Sequence, residues 1–138
     1  MQHEEFLNEV QLHVLRNHAI RLSNAEAANA TEAVLQTLAE QFSEADRATL
    51  AEKLPPELQD FWEDAGTAES LTLNGFFQRL AERMSIDVTV ATYYARAVTD
   101  TLSELLSSDD LDDLRARLPE RFAPLFDRGA GGELGTAL

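Results

Sequence analysis

The 138-residue chain contains no cysteine. That excludes a disulfide framework, cysteine-ligated zinc and a cysteine nucleophile together. Lysine is nearly missing too: Lys53 stands against ten arginines. Aromatic residues are only 7% of the chain, with a single tryptophan. Alanine is frequent instead, which suits closely packed helices better than a β-sandwich. No apolar run approaches the ~20 residues that cross a bilayer as a helix. The opening segment "MQHEEFLNEV" carries acids where an export signal would carry Lys or Arg, so a cytoplasmic location is expected. Positive charge is scarce throughout, and the formal net charge is −14. Such a surface repels phosphate backbones and anionic lipid, so neither nucleic acid nor membrane is expected as a partner. Solubility is the plain reading of the acid excess. A salt-rich cytoplasm or a GC-rich genome would leave the same composition.

What the chain does contain is a pattern that occurs twice. "ATLAEKLPPELQDFW" (Ala48–Trp62) returns as "DDLRARLPERFAPLF" (Asp112–Phe126). At an offset of 64, Ala33, Val34, Thr37, Leu38 and Glu40 recur as Ala97, Val98, Thr101, Leu102 and Glu104. Ser43, Asp46, Leu50, Leu54 and Pro55 recur as Ser107, Asp110, Leu114, Leu118 and Pro119. Further upstream, "FLNEV" (Phe6–Val10) resembles "FFQRL" (Phe76–Leu80) at an offset of 70, so the first copy carries about six extra residues between its first two helices.

Each copy reads as four helices. Ser23 with Glu26 three residues on has capping-box spacing. Ala27, Ala30, Val34, Leu38 and Phe42 then fall on one helical face. Ser43-x-x-Asp46 and Ser107-x-x-Asp110 open the next helix in each copy. That helix ends at the Leu-Pro step, because the residue before a proline avoids the αR region. A proline in the first turn of the next helix costs no hydrogen bond, so the chain turns a corner and restarts. In the second copy Phe76, Leu80 and Met84 share a face. Asp87 is expected to cap a long helix with Ala91, Tyr94, Val98, Leu102 and Leu105 on one stripe, despite its β-branched start at Val88, Thr89 and Val90. Pro124 predicts a short or kinked last helix. The expected class is therefore all-α: two tandem four-helix units, residues 1–65 and 66–128, arising by internal duplication and packed as one helical domain. A linker is expected around Gly66–Ser70. The Gly-rich tail, residues 129–138, lacks periodicity and is expected to be disordered.

These segments carry a family resemblance. "EEFLNEV", "EAVLQTLAEQFS", "LAEKLPPELQDFW", "FFQRLAERM", "RAVTDTLSELLS" and "LRARLPERF" together resemble domain of unknown function 2267, a bacterial and archaeal family, over residues 4 to about 127. The resemblance implies a duplicated all-helical fold in a small cytoplasmic protein and supplies no catalytic residues. The extra residues around Gln11–Leu22 depart from the family pattern and bear on the shape of the first helix.

Candidate chemistry is sparse. Glu5, Glu9 and His13 stand at i, i+4 and i+8, where a Glu and a His on one face suit a metal. The Glu-x-x-His signature of helical di-metal proteins is missing, and a solvated acidic face is the simpler reading. Asp109, Asp110, Asp112 and Asp113 lack the spacing of a calcium loop and read as helix N-terminal acids. His3, His13 and His18 come with no serine-nucleophile motif. "GAGG" near the end lacks the strand–turn–helix context of a phosphate loop. Arg115, Arg117 and Arg121 flank the second corner and are expected to pair with nearby acids rather than form a basic patch. Trp62, Tyr93 and Tyr94 read first as core and second as lining for a ligand pocket. No catalytic residue, no metal ligand and no cofactor is therefore expected, and the cofactor-binding residues are unknown. The leading expectation is a non-enzymatic helical interaction or scaffold module, with a stress-linked role within its range, that binds a protein partner between the two copies. The alternative is a small-molecule- or metal-binding protein, or an enzyme, with a pocket there. Homodimerisation through an uncovered apolar face is a third reading.

Overall fold

Among the described residues eight helices follow one another, and short capping contacts decide where most of them begin. They are α1 (His3–His18), α2 (Asn24–Ala39), α3 (Glu44–Ala51), α4 (Pro56–Glu63), α5 (Leu73–Met84), α6 (Val88–Leu105), α7 (Ser108–Arg117) and a 3-10 helix, Glu120–Phe126. The computed structural model describes residues 2–63 and 70–126. The expected linker, apart from Ser70, and the expected tail fall outside the described residues, among which there is no β-strand. Ser23 and Glu26 form the capping box read from the sequence: Glu26 N–H donates to Ser23 Oγ at 3.1 Å, and Ser23 N–H to Glu26 Oε1 at 3.0 Å. Ser43 and Ser107 accept from the N–H groups of Asp46 and Asp110. Asp87 does occupy the N-cap of α6, but its side chain makes no capping hydrogen bond.

The Leu-Pro corners bury the leucine and turn the chain. Leu54 and Leu118 are each 7% exposed. Beyond the first corner Leu58 and Trp62 pack inward; beyond the second, Phe122, Leu125 and Phe126 do. Pro124 sits inside the 3-10 helix, where a missing N–H and the tighter winding are compatible. Arg96 and Thr99 of α6 hold this helix by donating to the carbonyls of Pro124 and Leu125, at 3.2 Å and 3.0 Å.

The six extra residues of the first half divide between a helix and its connection. Helix α1 runs unbroken through the region in question for 16 residues, where α5 has 12. The segment before the next helix is two residues longer, 19–23 against 85–87. Both helices end on a left-handed residue, Ala19 and Ser85.

The halves interleave. Helix α1 packs along α6 as well as on its neighbour α2, and α5 packs on α2 as well as on α6. Helix α4 lies on α2, as the 3-10 helix lies on α6. The packing pattern thus survives exchange of the two halves. Two ion pairs show the same reciprocity: Lys53 meets Asp110 at 3.0 Å, and Arg117 meets Asp46 at 2.5 Å. Position 117 is 64 beyond 53, and 110 is 64 beyond 46, so each half offers the other the same two sites, as in an isologous interface. Among the described residues one hydrophobic core cluster draws on both halves.

Candidate functional site

A groove of about 620 Å³ lies between α2 and the corner joining α5 to α6. Glu26 and Glu32 stand on its α2 side, and Arg83, Met84, Ile86 and Tyr94 on the other. Helix α2 presents this edge because its opposite stripe, Ala27, Ala30, Val34 and Leu38, is fully buried. The single cation is not free. Arg83 donates to Thr37 Oγ1 at 2.9 Å and pairs closely with Glu40. Arg79 lies 3.9 Å from the same carboxylate. Among the described residues no cation pairs with Glu26 or Glu32, so the groove carries net negative charge beside the apolar side chains of Ala33, Met84 and Ile86. Hydrogen bonds from Ser23 hold the Glu26 carboxyl below its ordinary pKa, which keeps it charged. Burial, with the charge of Glu26, pushes the Tyr94 hydroxyl above its ordinary value and keeps it a neutral donor.

Trp62, Tyr93 and Tyr94 do not meet in one pocket. Trp62 is 1% exposed, donates Nε1–H to the Arg47 carbonyl at 3.0 Å and packs on Phe42. Tyr93 stacks on His18, with ring centroids 3.7 Å apart. Only Tyr94 reaches the groove. In the aspartate run, Asp110 pairs with Lys53 and Asp113 with Arg117 at 2.9 Å. Arg117 thus pairs with acids as expected. Arg121 instead donates to the Leu71 carbonyl and Ser70 Oγ, tying the segment before α5 to the 3-10 helix.

A second grouping lies on the seam between α1 and α6. His13 is buried, and its Nε2 contacts Glu104 Oε1 from 91 residues away. Glu9, one turn before His13 on α1, completes a trio whose donor atoms lie within 4.8 Å of one another. Glu5 is not part of it; its carboxylate belongs to the capping box that opens α1. Reasoning along one helix finds Glu9 and His13 but not Glu104, because nothing local to α1 announces α6 as its neighbour. Two contacts show that α1 and α6 run antiparallel: His18 meets Tyr93 near the start of α6, and His13 meets Glu104 near its end.

These features define an all-helical bundle with an acidic groove and a histidine–carboxylate seam, in which no described helix is long and apolar enough to cross a membrane. The chain belongs to the family described as "Uncharacterized conserved protein (DUF2267)", whose family model matches residues 3–125. No curated protein matches the chain.

Proposed function

We propose that this protein is a non-enzymatic interaction module that holds a cationic, amphipathic segment of a partner protein in the groove between α2 and the α5–α6 corner. One observation carries this reading: Glu26 and Glu32 line the same groove as the apolar side chains of Met84 and Ile86 and the ring of Tyr94. An amphipathic helix laid in such a groove puts its apolar face on these side chains and its basic residues against the glutamates. The glutamate charges steer the encounter and select against acidic partners, while the apolar contacts supply most of the affinity. The groove is lined from α2 on one side and from the α5–α6 corner on the other, where the two halves of the chain meet. The absence of cysteine and the acidic composition fit a cytoplasmic setting.

The test compares wild-type protein with a Glu26→Lys/Glu32→Lys variant as baits for cell extract, followed by hydrogen exchange on any saturable complex. The expected result is a partner lost in the variant, with protection on α2 and around Met84–Ile86. A partner retained equally by the variant, or protection elsewhere, contradicts the reading.

A further inference from the structure

The two cross-half seams are equivalent in position but opposite in charge. Where α5 meets α2, Arg79 and Arg83 both face Glu40. Where α1 meets α6, the corresponding residues are Glu9, His13 and Glu104. Positions 9 and 13 lie 70 before 79 and 83, matching the offset of the first helix in each half, and 104 lies 64 beyond 40. One seam is thus closed by two guanidiniums around a carboxylate. The other gathers two carboxylates around an imidazole. Among the described residues no Lys or Arg pairs with Glu9.

From this inversion we infer that Glu9, His13 and Glu104 form a binding site for a divalent transition-metal cation of the zinc type, which ties α1 to α6 as the arginines tie α5 to α2. Three donors within 4.8 Å of one another can converge on one ion. The donor set, one imidazole nitrogen and two carboxylates, suits Zn²⁺ and its neighbours. Calcium and magnesium prefer shells made entirely of oxygen. A dication balances the two carboxylates when the imidazole ligates in its neutral form. The His13 side chain is only 11% exposed, so the ring is held in place by its surroundings. The Glu104 side chain is 29% exposed, which leaves an entry path from solvent. Three protein ligands leave at least one coordination position for water. The sequence alone favours a solvated acidic face on α1, because Glu104, the third donor, comes from α6.

The experiment titrates Zn²⁺, with Mg²⁺ as control, into metal-free wild-type protein by calorimetry, and records the visible spectrum with Co²⁺. The expected result is one saturable Zn²⁺ site, with Mg²⁺ much weaker, and a Co²⁺ spectrum showing nitrogen ligation. His13→Gln and Glu104→Gln should each weaken Zn²⁺ binding by more than about tenfold, since even a lost outer-sphere partner typically costs that much. Glu9→Arg/His13→Arg copies the arginine seam; it should fold, lose Zn²⁺ binding and no longer gain melting temperature on adding Zn²⁺. An acidic chain also offers adventitious sites, so Asp109→Asn/Asp112→Asn serves as a second control. Binding that survives His13→Gln, binding abolished by the aspartate variant, or no saturable site in the wild type would each overturn the assignment.

Discussion

Replacing Trp62 with Phe, the residue that the second half carries at Phe126, probes how tightly the two halves are joined. Trp62 lies at the seam where Leu50 and Leu54 meet Leu102, Leu106 and Leu114. Two effects add. The indole N–H bond to the Arg47 carbonyl is lost. A net hydrogen bond of this kind contributes about 1 kcal/mol. The acceptor belongs to helix α3, so it is not left wholly unpartnered. Shrinking the indole to a phenyl ring removes roughly 40 Å² of buried apolar surface, worth about 1 kcal/mol at ~25 cal/mol per Å². The expected cost is therefore about 2 kcal/mol. Trp62→Ala, which also opens a cavity, should cost about 3–5 kcal/mol. Guanidinium unfolding followed by far-UV circular dichroism measures both, with the denaturant slope expected to stay constant. A loss below about 0.5 kcal/mol for Trp62→Phe would refute the reasoning, because it would mean that the indole is not locked into this seam.

Two further outcomes follow from local chemistry. Ser23→Ala removes the capping box of α2 and should cost about 1 kcal/mol; the Glu26 carboxyl should then titrate closer to its ordinary range by NMR. In the wild type the Glu26 contribution is full above the ordinary value of 4.5 and is lost as pH falls through the lowered folded value, so Ser23→Ala should also weaken the acid-side decline in stability. Burial against Tyr93 lowers the His18 pKa from its ordinary 6.5. Its contribution is therefore complete above pH 6.5 and falls away as pH drops through the folded value. His18→Gln should flatten that decline, and an unchanged pH profile would show that the imidazole does not couple to folding.

Most of the fold could be read from the sequence because its signals are local. The capping serines at Ser23, Ser43 and Ser107 mark helix starts through bonds that span three residues. The Leu-Pro corners do so through the steric demands of a single peptide unit. Pro124 marked its helix as irregular for the same reason. Asp87 was legible as a position but not as a bond, since an N-cap side chain must also find the right rotamer. The candidate sites were less accessible. The groove needs Arg83, Met84 and Ile86 beside Glu26 and Glu32, and the His13 trio needs Glu104. Both require knowing that the halves interleave, with α1 on α6 and α5 on α2. The offsets of 70 and 64 are visible in the sequence, but comparing Glu9–His13–Glu104 with Arg79–Arg83–Glu40 becomes meaningful only once those helix pairs are known.

Interleaving is what positions both the groove and the seam, and unfolding of the unmodified chain tests it most directly. Trp62 fluorescence reports the packing of α4 among Leu50, Leu54, Leu102, Leu106 and Leu114; near-ultraviolet dichroism of Tyr93 and Tyr94, read at wavelengths where tyrosine dominates, reports the start of α6 at the opposite end of that helix. With one core shared across the halves, the two probes should trace superimposable denaturant curves with a common midpoint. Midpoints that separate, with one of these regions melting while the other stays folded, would contradict the account.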